Sequence, residues 1–164
     1  MIDTSKPAFI IGTGPSLNKI DINKLKDYDT VTFNRAYVAF DDWGFDPTYY
    51  LSIDSNDIRA MYKDIYGLIE NSNIKSFYLA RCEDNDIHPE PEHYQDNEHK
   101  SRFFTDIDKD NVFLIDPGGN LETSYMDGNI FYTDHTPNAG FMGLKLLKTL
   151  GYKEVAFVGC DSRY

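Results

Sequence analysis

Short apolar runs alternate with longer amphipathic segments along most of the chain. The apolar runs are rich in β-branched and aromatic residues, and most end at polar residues or glycine, which is typical of buried strands. They cover residues 8–11, 30–33, 49–53, 76–80, 112–115 and 154–159. Strands that alternate with helices and are apolar throughout form parallel sheets covered on both faces. The pattern therefore predicts one α/β domain over residues 1–164, with a Rossmann-like, mainly parallel sheet and helices on both faces.

Two segments between the apolar runs have the spacing of a helix, because their apolar side chains recur every three or four residues. On residues 56–72 these side chains are Ile58, Met61, Ile65, Leu68 and Ile69. On residues 139–151 they are Phe141, Leu144, Leu147 and Leu150. Gly151 stands at the end of the second segment, where a glycine commonly terminates a helix.

The composition narrows the class of protein. The chain has 164 residues, of which 41% are hydrophobic and 15% aromatic, which excludes a disordered chain. No apolar run approaches the length of a membrane span, and the N-terminus lacks the pattern of a signal peptide. Cys82 and Cys160 both adjoin strand-like runs. Such cysteines are typically reduced, buried thiols, so we expect no disulfide and a cytoplasmic location.

The net charge of −11 argues against nucleic acid as a partner, because binding a phosphate backbone needs a basic surface. It is compatible with a small anionic ligand, since a helix N-terminus can hold a phosphate within an acidic protein.

The segment 82–111 departs from the alternation. It is acidic, and it holds two prolines and three of the four histidines. We interpret it as a solvated excursion or a small lid. The chain also stops inside the polar tail of its last predicted strand, which suggests a domain truncated at its C-terminus.

Polar or glycine-rich tails follow four of the predicted strands. They are residues 12–16, 34–35, 54–56 and 159–164. Ligands of open parallel sheets bind at the carboxyl ends of the strands, so these tails are the candidate site.

The first tail consists of Gly12, Thr13, Gly14, Pro15 and Ser16. It is not a dinucleotide fingerprint, because Leu17 replaces the third glycine, and it lacks the Gly-Lys-Ser/Thr of a P-loop. Pro15 suits the first position of a helical turn. Free amides and hydroxyls here would hold a phosphate or a sugar hydroxyl. The alternative is a tight turn in which Gly12 and Gly14 adopt positive φ, and this stretch alone favours neither.

Metal and histidine chemistry are weaker candidates. Asp106, Asp108 and Asp110 begin like a calcium loop, but the required glycine and terminal glutamate are missing. Asp106 and Asp108 also match a D-x-D element, although they precede a strand. His88, His93 and His99 have neither helical nor zinc-site spacing, so we expect them to be solvated. His135 is a candidate general base.

Residues 138–140 introduce the second helix. Asn138 is a predicted N-cap, and the small residues Ala139 and Gly140 leave amides open to an anion. The alternative is an ordinary capped helix, in which Gly140 and Gly143 allow close packing on the sheet. Taken alone, this stretch favours the ordinary helix.

Taken together, several of these stretches resemble a known family. "FIIGTGPSLNKIDINKL", "TVTFNRAYV" and "TPNAGFMGLKLLKTLGYKEVAFVGCDSRY" resemble the family-42 glycosyltransferases, bacterial sialyltransferases that use a CMP-sugar donor. The chain resembles even more the related domains grouped with the archaeal 6-hydroxymethylpterin diphosphokinases, of which "DWGFDPTYYLSID" is typical. The resemblance covers nearly the whole chain except the acidic excursion.

The resemblance implies site residues as well as a fold. In the sialyltransferases the glycine-rich loop and the asparagine after the second strand contact the nucleotide, which corresponds here to residues 12–16 and Asn34. A Thr-Ser-Gly stretch that holds the donor corresponds to residues 138–140, where both hydroxyls are missing. Tyrosines after the last strand assist phosphate departure, and Tyr164 is near such a position. The catalytic histidine of the family lies beyond the end of this sequence.

Three functions follow as expectations. The first is an inverting, metal-independent glycosyltransferase of the sialyltransferase type, or its donor-binding core, with a CMP-sugar and a saccharide acceptor as its partners. The second is a pyrophosphokinase-like enzyme using ATP and magnesium, with Asp54 and Asp161 as metal ligands. The third is a non-catalytic nucleotide-binding module. The resemblance also allows a homo-oligomer and a peripheral membrane association through residues after Tyr164.

Overall fold

The computed structural model describes residues 3–80, 104, 107, 109–116, 124–134 and 138–161. The strands in these residues form one eight-stranded sheet in the order β6-β7-β5-β4-β3-β2-β1-β8. Their bounds are β1 (Ala8–Ile11), β2 (Thr30–Phe33), β3 (Tyr49–Ser52), β4 (Ser76–Ala80), β5 (Val112–Asp116), β6 (Tyr125–Asp127), β7 (Ile130–Tyr132) and β8 (Val155–Val158). All six predicted strands are present, each within one residue of its predicted bounds.

The sheet has the predicted Rossmann-like, mainly parallel arrangement. Every neighbouring pair is parallel except β6 and β7. The strand order reverses at β1, because β2 to β5 lie on one side of it and β8 lies on the other. In a sheet of this kind the reversal opens a crevice at the carboxyl ends of the two central strands, here β1 and β8.

The β6–β7 pair at one edge is absent from the sequence predictions. Each strand has three residues, and Gly128, with φ of +56°, lies in the turn between them. The rings of Tyr125 and Tyr132 stack across the pair with centroids 5.0 Å apart. Strands this short give no measurable alternation, although the two residues between them, Gly128-Asn129, are a recognised hairpin loop.

Helical segments connect the strands. They are α1 (Phe40–Trp43), α2 (Ser55–Asn71), α3 (Ala139–Thr149) and 3₁₀ turns over Pro15–Lys19, Ile22–Leu25 and Asn34–Ala39. No helix among the described residues is long and apolar enough to cross a membrane. Gly151 has φ of +95° just after α3, which confirms its predicted place at the end of that helix.

Helix α2 and the 3₁₀ turns cover one face of the sheet. Ile58, Met61, Ile65 and Ile69 of α2 are buried there, as their spacing predicts. Phe104 lies in the predicted solvated excursion, yet it is buried in the same core, with its ring 5.0 Å from that of Tyr66. The prediction of a solvated segment is therefore wrong at this position, because an aromatic side chain anchors it.

Helix α3 covers the other face, over β1, β2 and β3. Met142, Leu146 and Leu147 are buried against the sheet, whereas Phe141, predicted to face the core, is 51% exposed. The buried side of α3 is therefore rotated about the helix axis relative to the predicted one, because the helix approaches the sheet at Gly143. A Cβ at Gly143 would lie 3.3 Å from Val31 Cγ1, which confirms the predicted close packing at this glycine.

The prediction of burial is wrong at Cys160, which is an exposed free thiol just beyond the end of β8. A residue after an edge strand has a neighbour on one side only, so adjacency to an apolar run does not ensure burial. Cys82 lies outside the described residues.

Candidate functional site

The candidate site is at the carboxyl ends of β1 and β8, where the strand order reverses. The loop after β1 begins at Gly12, and the loop after β8 begins at Gly159. The ladder between the two strands continues into these loops, because Gly12 N–H donates to Val158 O at 2.8 Å and Gly14 N–H donates to Gly159 O at 2.7 Å. The two loops therefore contact each other directly at the predicted ligand-binding edge.

Three glycines permit this contact. A Cβ at Gly12 would lie 2.4 Å from Gly159 O, and one at Gly14 would lie 2.7 Å from the same oxygen and 2.3 Å from Asp161 Oδ2. Gly159 has φ of +63°, and a Cβ there would lie 2.8 Å from Gly12 O. The hypothesis that Gly12 and Gly14 serve positive φ is wrong, since neither has a positive φ. They are glycines because another backbone approaches closely.

The amides of the first loop are largely occupied. Ser16 N–H donates to Asp161 Oδ2 at 2.7 Å, and Leu17 N–H donates to Gly14 O at 3.0 Å. Pro15 occupies the first position of the 3₁₀ turn, as predicted, and has no N–H to offer. The expectation of free amides is therefore wrong at Gly14 and Ser16. The loop already holds an anion, and that anion is the chain's own carboxylate.

Asp161 is exposed and remains ionised in this position. The hydroxyl and the amide of Ser16 both donate to its carboxylate and hold its pKa below the usual value of 3.8. Nearby, Asp161 also contributes to the raised pKa of the Cys160 thiol, whose main cause is burial. Thr13, the remaining hydroxyl of the loop, is exposed.

Asn34 follows β2 at the same edge, with an uncommon backbone conformation. Its φ is +52°, in the left-handed region that non-glycine residues rarely adopt. Its carbonyl oxygen accepts a hydrogen bond of 2.6 Å from the Tyr50 hydroxyl, and its Nδ2 donates to Asp57 Oδ2 at 2.8 Å. Its side chain thus reaches towards α2.

Two buried oxygens at this edge have no hydrogen-bond partner among the described residues. They are Asn34 Oδ1 and the hydroxyl oxygen of Ser52, the last residue of β3. Ser52 is completely buried. Buried polar atoms without a partner are uncommon in native proteins. Sequence reasoning missed Ser52, because a lone serine at the end of a strand carries no signal.

Asp54 caps α2. Its Oδ1 accepts from Asn56 N–H at 2.7 Å and from Asp57 N–H at 3.3 Å. The adjacent Asp57 has a raised pKa, first because of burial and then because of the Asp54 carboxylate. The structure thus gives Asp54 a local structural role, which the sequence did not predict.

Asn138 is the N-cap of α3, as predicted. Its Oδ1 accepts from Gly140 N–H at 2.9 Å and from Phe141 N–H at 3.2 Å. The Gly140 amide is therefore not open to an anion, and the alternative of an ordinary capped helix is the better description. A Cβ at Gly140 would lie 3.8 Å from the Phe157 ring and 3.9 Å from the Phe33 ring. These contacts place Gly140 near the ends of β8 and β2.

An ion pair near the entrance of α3 is a further feature that the sequence did not reveal. Lys145 Nζ on α3 donates to Asp134 Oδ1, and the two side chains are only 17% and 14% exposed. Burial lowers the pKa of Lys145, whose ammonium also lies 5.4 Å from the centre of the Phe141 ring. Asp134 follows β7, so predicting β7 would have drawn attention to it as a strand-end residue.

The predicted site residues thus fall into separate groups. Residues 12–16 and Asp161 lie together, Asn34 lies with Asp57, and residues 138–140 lie at the entrance of α3. His135, Tyr164, Asp106, Asp108 and the histidines at 88, 93 and 99 lie outside the described residues. Among the residues that the structure describes, no cluster of three or more acidic, histidine or cysteine side chains is arranged to hold a metal ion.

Comparison of the chain with protein-family models, with curated proteins and with solved structures gave no match.

Proposed function

We propose that the chain is a nucleotide-sugar-dependent glycosyltransferase of the sialyltransferase type, or its donor-binding core, with a CMP-sugar donor and no metal. One observation supports this proposal most. The loops after β1 and β8 meet at the reversal of strand order, and glycines hold them together. This is the position where open α/β sheets bind nucleotides.

In this proposal the nucleotide lies across the carboxyl ends of β1, β2 and β8. An acceptor hydroxyl loses its proton to a general base and attacks the anomeric carbon. The bond from this carbon to the phosphate oxygen breaks, CMP leaves with the electron pair, and the configuration is inverted. His135 is the candidate base and Tyr164 the candidate contact for the departing phosphate. General base catalysis contributes roughly 10²–10⁴-fold, so a chain without a positioned base binds the donor but turns it over slowly.

Asp161 sets a condition on how the donor binds. Its carboxylate accepts the hydrogen bond of the Ser16 amide, so a phosphate that bound at this loop would be repelled by the negative charge of Asp161. The phosphate of a metal-free donor therefore has to displace Asp161 from the loop. We expect Asp161→Asn to strengthen CMP binding several-fold, because the repulsion is removed. Asp127→Asn on β6 is the matched control, since Asp127 is exposed at the far edge of the sheet.

The same carboxylate favours a second candidate, an ATP- and magnesium-dependent pyrophosphokinase-like enzyme. An exposed carboxylate beside a candidate phosphate loop is a suitable ligand for Mg²⁺, which bridges protein carboxylates to nucleotide phosphates. In this case Asp161→Asn weakens nucleotide binding. Asp54 is less suited to the second ligand position, because its carboxylate caps α2.

Calorimetric titration with CMP, UDP, GDP and ATP, each with and without Mg²⁺, tests these candidates. The transferase proposal expects CMP to bind best and without dependence on Mg²⁺. Binding of ATP only in the presence of Mg²⁺ contradicts it and supports the second candidate. Binding of a nucleotide with no hydrolysis or transfer of the corresponding sugar donor favours a non-catalytic module.

A further inference from the structure

Asn34 and Ser52 lie at the carboxyl ends of two neighbouring strands, and Asn34 Oδ1 and Ser52 Oγ both lack a hydrogen-bond partner among the described residues. Phe33 on β2 is paired with Leu51 on β3, so Asn34 and Ser52 are the next residues along the two strands. Ser52 lies two positions after Tyr50, which packs in the core beneath α2, and alternation places Ser52 on the same face. Asn34 reaches Asp57 of α2. Both oxygens are therefore on the α2 face of the carboxyl edge.

The orientation of the Asn34 amide is fixed by its surroundings. Because Nδ2 donates to the Asp57 carboxylate, turning the amide over would place Oδ1 against a negative charge. The Tyr50 hydroxyl holds the adjacent carbonyl, and thereby the left-handed backbone. Such strain persists where surrounding contacts enforce it, and it is common at ligand sites. The free atom of the side chain is thus an acceptor.

We propose that Asn34 Oδ1 and Ser52 Oγ form an acceptor pair that selects the ligand by a hydroxyl or amino donor, and that Asp57 is the positioning residue that keeps Oδ1 in this role. The inference rests on the proposed nucleotide-binding function. It adds a chemical requirement. A ligand carbonyl at this point accepts from the Ser52 hydroxyl but leaves Asn34 Oδ1 unpaired, and an apolar group leaves both oxygens unpaired. Each oxygen exposes less than 1 Å². The donor therefore enters only when the Asn34 side chain or its loop moves.

The experiment measures selectivity rather than affinity alone. Dissociation constants for CMP, 2′-deoxy-CMP and UMP are determined by titration calorimetry. 2′-Deoxy-CMP lacks the ribose 2′-hydroxyl, and UMP has a carbonyl in place of the base amine. Comparing each with CMP therefore shows which of the two groups donates to the acceptor pair. We expect one arm to bind about tenfold to a hundredfold more weakly than CMP, the range that corresponds to an unpaired buried polar group.

Asp57→Ala and Ser52→Ala are the test variants. Each should reduce this selectivity to threefold or less. If the residue had only a structural role, its substitution would weaken the binding of all three nucleotides equally. Asp64→Ala is the matched control, because Asp64 lies on the same helix and bonds the Tyr37 hydroxyl instead. It should keep the selectivity. Unchanged selectivity in Asp57→Ala or Ser52→Ala overturns the inference, as does its loss in Asp64→Ala.

Failure of the inference and failure of the proposed function give different results. If the unmodified protein binds all three nucleotides equally, the inference is overturned while the proposed function stands. If it binds none of the nucleotides tested, the proposed function is overturned and the inference with it. A ligand-free measurement tests the premise separately. Removing an unpaired hydroxyl in Ser52→Ala should raise Tm by about 2–4 °C, and a lowered Tm contradicts the premise.

Discussion

The two ends of the parallel sheet are built differently. At the amino end, Asp29 accepts hydrogen bonds from the hydroxyls of Tyr152 at 2.6 Å and Thr48 at 3.1 Å, and Lys75 donates to it at 3.3 Å. The Tyr49 hydroxyl lies 3.1 Å from that of Tyr152. Tyr49 begins β3, the other four residues precede β2, β3, β4 and β8, and each of these polar groups has a partner.

At the carboxyl end of the same sheet, some buried polar groups lack hydrogen-bond partners among the described residues. Asn34 Oδ1 and Ser52 Oγ are buried without partners among the described residues. Asn34 also has an uncommon backbone conformation, and an exposed carboxylate, Asp161, occupies the loop after β1. A stable fold needs only the first kind of end. Among the described residues, both buried side-chain oxygens without a partner lie at this end, and such atoms are uncommon in native proteins. A positive φ at a non-glycine residue is not confined to it, because Phe104 also has φ of +65°.

The largest expected effect is at the contact between the two loops. In Gly12→Ala the new Cβ would lie 2.4 Å from a backbone oxygen, which cannot move independently of its strand. We expect the free energy of unfolding to fall by about 3 kcal/mol in chemical denaturation. Gly67→Ala on α2 is the control, because nothing lies within 4 Å of its added Cβ. It should stabilise the protein by about 1 kcal/mol, and equal losses in both variants would contradict the close-contact explanation.

The next effect is at the amino end. Tyr152→Phe removes the hydroxyl that donates to Asp29 and contacts Tyr49, and the ring remains in place. We expect a loss of about 2 kcal/mol in chemical denaturation, as for a hydrogen bond to a charged group. Nucleotide binding should not change. A change in nucleotide affinity without a change in stability would reverse the roles assigned to the two ends.

A smaller effect is expected at the entrance of α3. Asn138→Ala removes the cap of the Gly140 and Phe141 amides and should lower the free energy of unfolding by about 1 kcal/mol. Asn138→Asp keeps an accepting oxygen and should retain most of the stability. If the alanine variant also binds CMP more tightly, the freed amides act as an anion site and the assignment of an ordinary cap is wrong.

The smallest effect is a pH dependence of the contact between Asp161 and Ser16. Hydrogen bonds lower the pKa of Asp161 in the folded protein, so its contribution to stability is present above the ordinary value of 3.8. It is lost as the pH falls below that value, through the lower pKa of the folded state. The stability difference between the unmodified protein and Asp161→Asn should therefore be constant near neutral pH and vanish in acid. A difference that persists in acid would show that the carboxylate charge is not involved.

Local chemistry accounts for the predictions that the structure confirms. The six apolar runs became strands, and Asn138 and Pro15 occupy the expected positions at helical starts. Of the five side chains predicted on the apolar face of α2, four are buried and Leu68 is partly buried. All of these depend on the residue itself and its near neighbours in sequence. The β6–β7 pair was missed because three-residue strands contain too little pattern.

The place of the candidate residues in the fold was predicted, but their contacts were predicted only in part. The strand-end rule selected residues 12–16, Asn34 and Asp161 correctly as members of one edge. It could not show that Asp161 would bind the Ser16 amide, since the two residues are far apart in the chain. Nor could it show that Ser52 would be buried without a partner, because that depends on register and on how α2 packs.

The sequence by itself determined the order of elements, the parallel sheet and the edge at which a ligand is expected, because hydrophobic periodicity and turn residues act locally. Tertiary structure alone decided what the glycines of the first loop are for. Gly12 and Gly14 have ordinary φ values and are required by the backbone of Gly159. That contact exists only after β8 has paired with β1, so no property of the loop's own sequence could reveal it.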